Sequence, residues 1–174
     1  MTRVFATLLA ASTLLAADNP PGASACGVAG AKFDVHLAHY PSVFPKPQAG
    51  SALVYVIQVQ MVPVCLVGCI ETARIGLDGE WLGANRFDSW LSFQVKPGQH
   101  HLCAALQGKK GGLTDPNRIS LAGFTAQVGA IYYFAARVTH TSYTGPLVDL
   151  EPLNPDEGAF LVSRYYPSSS RPQK

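Results

Sequence analysis

Arg74-Ile75-Gly76-Leu77-Asp78-Gly79-Glu80-Trp81-Leu82-Gly83 constrains this chain more than any other stretch. Asp-Gly between short apolar runs is a hairpin signal: primed two-residue turns need positive φ, which glycine adopts without steric cost. Phe93-Gln94-Val95-Lys96-Pro97-Gly98-Gln99-His100-His101-Leu102 follows. Pro97-Gly98 fits positions i+1 and i+2 of a type II turn, with residues 100–106 completing a second hairpin. Such spacing predicts a small antiparallel β-domain and supplies no catalytic chemistry.

Other segments agree. Phe33-Asp34-Val35-His36-Leu37 alternates apolar and polar residues, the period of a half-buried strand. Residues 52–60 are continuously apolar and then alternating, as in a central strand that reaches an end. Residues 72–77 are a strand, and Glu80-Trp81-Leu82 is its brief return. In residues 90–95, Trp90, Ser92 and Gln94 share one face while Leu91, Phe93 and Val95 share the other. Residues 119–128, 130–138 and 146–153 are further strands, and Ile131-Tyr132-Tyr133-Phe134 opens one of them. Pro41, Pro45 and Pro47 mark a linker, residues 61–70 an inserted loop and residues 109–117 a turn-rich loop. Asn154-Pro155-Asp156-Glu157 offers an N-cap, a proline at the first helical position and two first-turn acids, so a short helix is predicted over 155–165. Residues 167–174 are polar and rich in Pro and Ser, and read as a flexible tail. Sixteen glycines and 13 prolines beside few charges suit an all-β domain with many turns.

Arg3 precedes an apolar stretch, residues 4–17, which falls short of the roughly 20 residues a membrane span needs. Small residues and Asp18-Asn19-Pro20-Pro21 come next. Residues 1–25 therefore have the layout of a signal peptide, with cleavage after Ala17 or after Ala25. Charges, prolines or glycines interrupt every later apolar run, so no transmembrane span is expected once the signal is removed. The expected product is exported, periplasmic or extracellular, with one β-sandwich domain over residues 26–166. Its net charge of +2 is dispersed, which argues against nucleic-acid binding and against an electrostatic membrane anchor.

Four cysteines, Cys26, Cys65, Cys69 and Cys103, favour two disulfides in an exported chain. Of three possible pairings, Cys65 with Cys69 and Cys26 with Cys103 is preferred. The longer loop would contribute about 3–5 kcal/mol in the chain-entropy picture. A zinc site on the Cys65–Cys69 spacing lacks a second ligand pair. Ala23-Ser24-Ala25-Cys26 loosely resembles a lipobox, but its first position is Ala rather than Leu, and lipid on Cys26 would leave three cysteines. The disulfide is the preferred use of Cys26.

Gly50-Ser51-Ala52-Leu53-Val54-Tyr55-Val56, Gly76-Leu77-Asp78-Gly79-Glu80-Trp81-Leu82-Gly83-Ala84-Asn85 and Val95-Lys96-Pro97-Gly98-Gln99-His100-His101-Leu102-Cys103-Ala104 come in this order. Gly129-Ala130-Ile131-Tyr132-Tyr133-Phe134, Leu150-Glu151-Pro152-Leu153 and Asp156-Glu157-Gly158 follow. In these motifs the chain, from about Gly50 to Ser163, resembles a family of exported bacterial proteins defined only as domain of unknown function 2846. The centre is also similar to PEGA-type β-sandwich modules of surface-associated proteins. The resemblance implies an exported context and a sandwich fold, and assigns no catalytic residue. The Cys65–Cys69 loop is not part of that family pattern. Together these readings give a single antiparallel β-sandwich, transthyretin/Ig-like, of seven to nine strands with one short C-terminal helix.

Residues with chemical potential have ordinary structural explanations. His36 and His39, three apart, would suit a helix rather than a strand. His100 and His101 point to opposite faces of a strand. A metal-binding protein or hydrolase built on His36, His39, His100 and His101 is the alternative reading. No G-x-S-x-G elbow is present. Asp78 and Glu80, Asp156 and Glu157, and Asp149 and Glu151 fit a turn, a helix start and a strand end, not a glycosidase pair. Gly108-Lys109-Lys110-Gly111-Gly112 lacks phosphate-loop spacing. Most aromatics belong inside. Trp81, beside the Asp-Gly turn, is the best exposed one, so Trp81, His100 and His101 form the candidate interaction surface. No cofactor is expected, and the expected role is a non-catalytic envelope or secreted binding or scaffolding module. Its partner would be an envelope protein or a polysaccharide.

Overall fold

The computed structural model describes residues 26–28, 30–61, 71–108, 115, 118–141 and 145–173. Ten strands lie among them: β1 (Phe33–Leu37), β2 (Ala52–Met61), β3 (Thr72–Leu77), β4 (Glu80–Arg86), β5 (Ser89–Val95), β6 (Gly98–Leu106), β7 (Ile119–Ala126), β8 (Ile131–Thr141), β9 (Gly145–Pro152) and β10 (Tyr166–Pro172). One helix, α1 (Pro155–Arg164), precedes β10. A six-stranded sheet has the order β1-β10-β5-β2-β8-β9, and a four-stranded sheet the order β4-β3-β6-β7. Val54, Val56, Ile75, Leu102, Phe134 and Val138 fill the core between them, so the fold is all-β and sandwich-like. Burying each such side chain contributes about 1.5–3 kcal/mol relative to exposure.

The continuous apolar run of β2 has a direct cause. Val54 and Val56 face the inter-sheet core, while Leu53, Tyr55 and Ile57 face outward and pack with Trp90 and with Val162 of α1. Both faces of this strand are covered, so alternation gives no polar side. The helix runs as predicted. Asn154 caps it, its side chain accepting from the Glu157 N–H at 2.9 Å, and Pro155 opens its first turn.

The two turns behave differently. Asp78-Gly79 joins β3 to β4 as an antiparallel hairpin, with φ of 50° and 90°. β4 continues to Arg86 rather than stopping at Leu82. Pro97-Gly98 does not close a hairpin: it carries the chain from β5 in one sheet to β6 in the other. β5 pairs with β2 along its length and with β10 at Ser89 and Trp90, whereas β6 pairs with β3 and β7. Gly129, at φ 77°, likewise separates β7 and β8, which lie in different sheets. β2 with β8 and β10 with β5 are parallel pairs, so the larger sheet is mixed instead of antiparallel.

The expected flexible tail is a strand, which brings the total to ten and extends the folded unit beyond residue 166. β10 pairs antiparallel with β1 from Phe33↔Pro172 to Leu37↔Ser168. Its polar side chains serve the fold. Ser170 Oγ accepts from the Ala84 N–H of β4 at 2.9 Å, and Ser168 Oγ donates to Asn85 Oδ1 at 2.7 Å. Asn85 is fully buried, and its Nδ2 donates to the Val56 carbonyl of β2 at 2.8 Å. On the other side, Ser120 Oγ of β7 accepts from the Leu150 N–H of β9 at 2.9 Å. β1 is clamped at its start, where the Phe33 N–H donates to Gln107 Oε1 at 2.8 Å and Gln107 Nε2 donates to the Phe33 carbonyl at 3.0 Å.

Cys26 and Cys103 form the expected disulfide, joining positions 77 residues apart with Cα atoms at 5.8 Å. Gly76 makes room for it: a Cβ there would lie 2.7 Å from Cys103 Sγ and 2.9 Å from the Cys26 carbonyl oxygen. The bridge uses the sulfur that a lipid thioether on Cys26 would need. Cys65, Cys69 and the signal-like residues 1–25 lie outside the described residues. Among the described residues, no helix is long and apolar enough to cross a membrane.

Replacing Ser168 with Ala removes the hydroxyl that donates to buried Asn85 and should cost about 1–3 kcal/mol in urea unfolding. Ser169→Ala, at the exposed neighbouring position, should stay within about 0.5 kcal/mol. Equal losses at both positions would refute a specific role for the inward hydroxyl.

Candidate functional site

The Asp-Gly turn carries a compact ionic network. Asp78 sits where β3 ends, and its N–H donates to the His101 carbonyl at 2.9 Å. The carboxylate accepts from the His101 N–H at 2.8 Å through Oδ1 and meets His100 Nδ1 at 2.6 Å through Oδ2. The other ring nitrogen of His100, Nε2, lies 2.7 Å from the Lys96 carbonyl oxygen. A carboxylate and a carbonyl can only accept, so both ring nitrogens must donate and the geometry selects the imidazolium. Burial alone pushes His100 down, but the hydrogen bonds to Asp78 and the Lys96 carbonyl, with the charge of Asp78, hold it above its ordinary 6.5. For Asp78, burial pushes upward and is outweighed by the backbone hydrogen bond from His101 and then by His100, so its carboxyl sits below the ordinary range. His100 thus ties the Asp-Gly turn to the Lys96-Pro97 crossover.

Trp81 is half-buried rather than freely presented. Its Nε1 donates to the Val28 carbonyl at 3.0 Å, and the buried Arg74 guanidinium lies 4.5 Å from its ring centroid. Arg74 in turn donates from Nη1 to the Ala31 carbonyl at 3.0 Å. The indole therefore holds down the segment that follows Cys26. His101 is exposed, and alternation along β6 directs its ring away from His100. His100 and His101 both border a shallow recess over β6 and β7, lined also by Gly123 and Phe124, and Trp81 is not among its lining residues.

The four-histidine alternative is not assembled. β1, which bears His36, pairs with β10, and its Phe33 end is clamped to Gln107 beyond the end of β6. His100 and His101 stand near the start of β6. Among the described residues, no three His, Cys, Asp or Glu side chains come close enough to share a metal ion.

A different site emerges on the outer face of the larger sheet. A cleft of about 370 Å³ runs between α1 and the proline-rich segment before β2, lined by Phe44, Tyr55, Ile131, Tyr133, Ala159 and Val162, among others. Its floor is aromatic. Tyr55 and Tyr133 stack at 5.4 Å between centroids with 11° between planes, and Trp90 meets Tyr55 edge-on at 5.3 Å. These rings share one side because β2, β5 and β8 each place alternate residues outward.

Both walls are fixed from below. Tyr55 Oη donates to the Pro45 carbonyl at 2.9 Å, and burial first, then Tyr133, pushes this phenol to about 12, so it stays neutral. Gln94 of β5 donates to the Lys46 carbonyl at 2.9 Å and accepts from the Gln48 N–H at 3.1 Å. The helix is held by Arg137, paired with Glu151 and with Glu157 at 3.5 Å, and by Trp90 Nε1, which donates to the Val162 and Tyr165 carbonyls at 3.2 and 3.0 Å. Gly158 lies flat on Tyr133, where a Cβ would overlap the ring. Val43, 73% exposed, Phe44 at 37% and Ile131 at 38% leave the mouth apolar. Sequence reading noted the proline linker and the aromatic block but not their meeting. The available signal was Gly158, a helix-weakening residue in the middle of a predicted helix.

Gly158→Ala should raise intrinsic helix propensity by about 1 kcal/mol yet destabilise the protein by about 1–3 kcal/mol through overpacking on Tyr133. A rise in Tm would contradict the close approach. The His100–Asp78 pair gives a second expectation. His100 has a raised folded pKa, so its contribution is complete below 6.5 and lost as pH rises through the folded value. Asp78 has a lowered one, so its contribution is complete above 3.8 and lost as pH falls through the folded value. Unfolding free energies should fall between pH 6 and pH 9 by more in the wild type than in His100→Asn. Parallel pH profiles would remove His100 from the linkage. No family model, no curated protein and no solved structure matches this chain.

Proposed function

We propose that this chain is an exported, non-catalytic binding module of the bacterial envelope, with the aromatic cleft as its working surface. The carrying observation is the cleft itself: an apolar recess whose aromatic floor and two walls are fixed by hydrogen bonds and ion pairs of the fold. Such a recess is pre-organised, which lowers the ordering cost of taking up a ligand. Export is supported by the signal-like residues 1–25 and by the Cys26–Cys103 bridge, a bond that persists in oxidising compartments. The likeness to the exported family and to PEGA-type modules belongs to the same reading, as does a transthyretin/Ig-like sandwich type. The partner on this reading is an envelope protein or polysaccharide, or a small envelope component seated in the cleft.

Expression of the full chain in a Gram-negative host should release a processed form into the osmotic-shock fraction. Cys26 and Cys103 in that form should resist alkylation until reduced. Immobilised processed protein should retain an envelope component that a Val43→Asp/Phe44→Asp variant loses. A full-length cytoplasmic form with alkylatable thiols would overturn the export reading, and retention unaffected by the double variant would overturn the role of the cleft.

A further inference from the structure

Among the described residues that line the cleft one is charged, and that residue narrows what fits. Ten of the described residues line it: Lys46 is the cation, no carboxylate is among these ten, and the remainder are apolar, aromatic or Ser163. Tyr55 stays a neutral phenol, so the floor does not repel an anion. The space, about 370 Å³, holds on the order of ten non-hydrogen atoms at a liquid-like share of volume. Ring faces and branched aliphatics offer contact to methylenes and few hydrogen bonds to hydroxyls.

We propose that the cleft binds a small amphipathic anion, an aliphatic chain of about ten carbons or its ring equivalent, with the apolar body on Tyr55 and Tyr133 and the anionic group toward Lys46. The inference rests on the binding-module reading and deepens it by naming the ligand class. The segment carrying Phe44 and Lys46 supplies both parts of the recognition. Phe44 closes over the floor, its ring 6.4 Å from Trp90, while Lys46 stands two residues further along the same wall. Gln94 holds the Lys46 carbonyl, so the residue's backbone keeps its place whether or not the cleft is filled.

Calorimetric titration of the purified, oxidised domain with decanoate, decanol and decylamine tests this. Decanoate should bind best. Lys46→Glu should weaken decanoate about fivefold or more, as expected for loss and reversal of an exposed ion pair, and leave decanol within about twofold. Ala159→Trp, at an exposed helix position in the wall, should abolish both. Ile131→Glu, on β8 at the mouth, provides a second block if the tryptophan loosens the helix, with thermal melting reporting the fold of each variant. No binding of any probe to a well-folded domain would overturn the proposal. So would binding that survives both blocking variants, or decylamine binding as tightly as decanoate. A null here beside a processed, disulfide-bonded exported form removes the ligand class and leaves the export reading standing. A cytoplasmic, reduced form removes the export reading instead.

Discussion

From Ala52 to Gln58, strand β2 has no wet face, and the rest of the molecule is arranged around that demand. Its even-numbered residues 52–56 are buried against the four-stranded sheet, and Leu53, Tyr55 and Ile57 must be covered from outside. A sandwich alone covers only one side of a sheet. The second covering is α1, which reaches its place through an Asn cap, an Arg137 tether and two hydrogen bonds from Trp90 to its last turn. A ten-residue helix is marginal alone, so this docking is what holds it. The proline-rich segment covers the remainder, and the cleft is the space the two coverings leave.

The edges of the two sheets obey a second constraint. An open strand edge invites pairing with another chain. Here facing layers are joined near both ends by serine hydroxyls: Ser170 to Ala84 between β10, the strand next to outermost β1, and edge strand β4, and Ser120 to Leu150 between edge strands β7 and β9. A serine is short enough to let two backbones approach and still supplies an acceptor for an orphan N–H. Gly83 is part of the same device, since a Cβ there would lie 2.5 Å from Ser170 Oγ. The polar composition of residues 167–172 is therefore a sealing strand's composition. It buries little hydrocarbon because its partners are hydrogen-bonding groups.

That explains what could be read in the sequence. Elements were legible where a local rule dictates them: β1 by alternation, β3–β4 by Asp-Gly, α1 by Asn154-Pro155, and the Cys26–Cys103 pairing by parity and loop length. Partners were not, because pairing depends on segments far apart in sequence. Pro97-Gly98 turns the chain as its composition demands, yet β6 joins β3 and β7 in the facing sheet instead of folding back on β5. β10 was invisible because its stabilisation comes from Asn85 and Ala84, more than eighty residues away. Trp81 was read as free for a related reason: its cover is the segment at Val28 and Ala31, recruited by a disulfide rather than by any local pattern. The cleft needs three outward-facing strands, a helix and a linker in register, information that no window of sequence contains.

The disulfide and the cleft stand on opposite layers, and this separation has a physical consequence. The bridge closes on β6 in the four-stranded sheet, with Gly76 yielding space and Trp81 and Arg74 holding the segment beyond it. Tyr55, Tyr133 and Trp90 lie on the far side of the other sheet. Closing a 77-residue loop constrains the unfolded chain, and its stabilisation reaches the whole cooperative unit rather than one surface. The cleft walls, by contrast, are held by contacts to β2, β5 and β8 that make no use of the bridge. Oxidation thus secures the scaffold while the shape of the recess is written into the sheet beneath it. A chain that folds in an oxidising compartment would acquire both together, and the bridged Cys26 sulfur leaves none to anchor a lipid at that position.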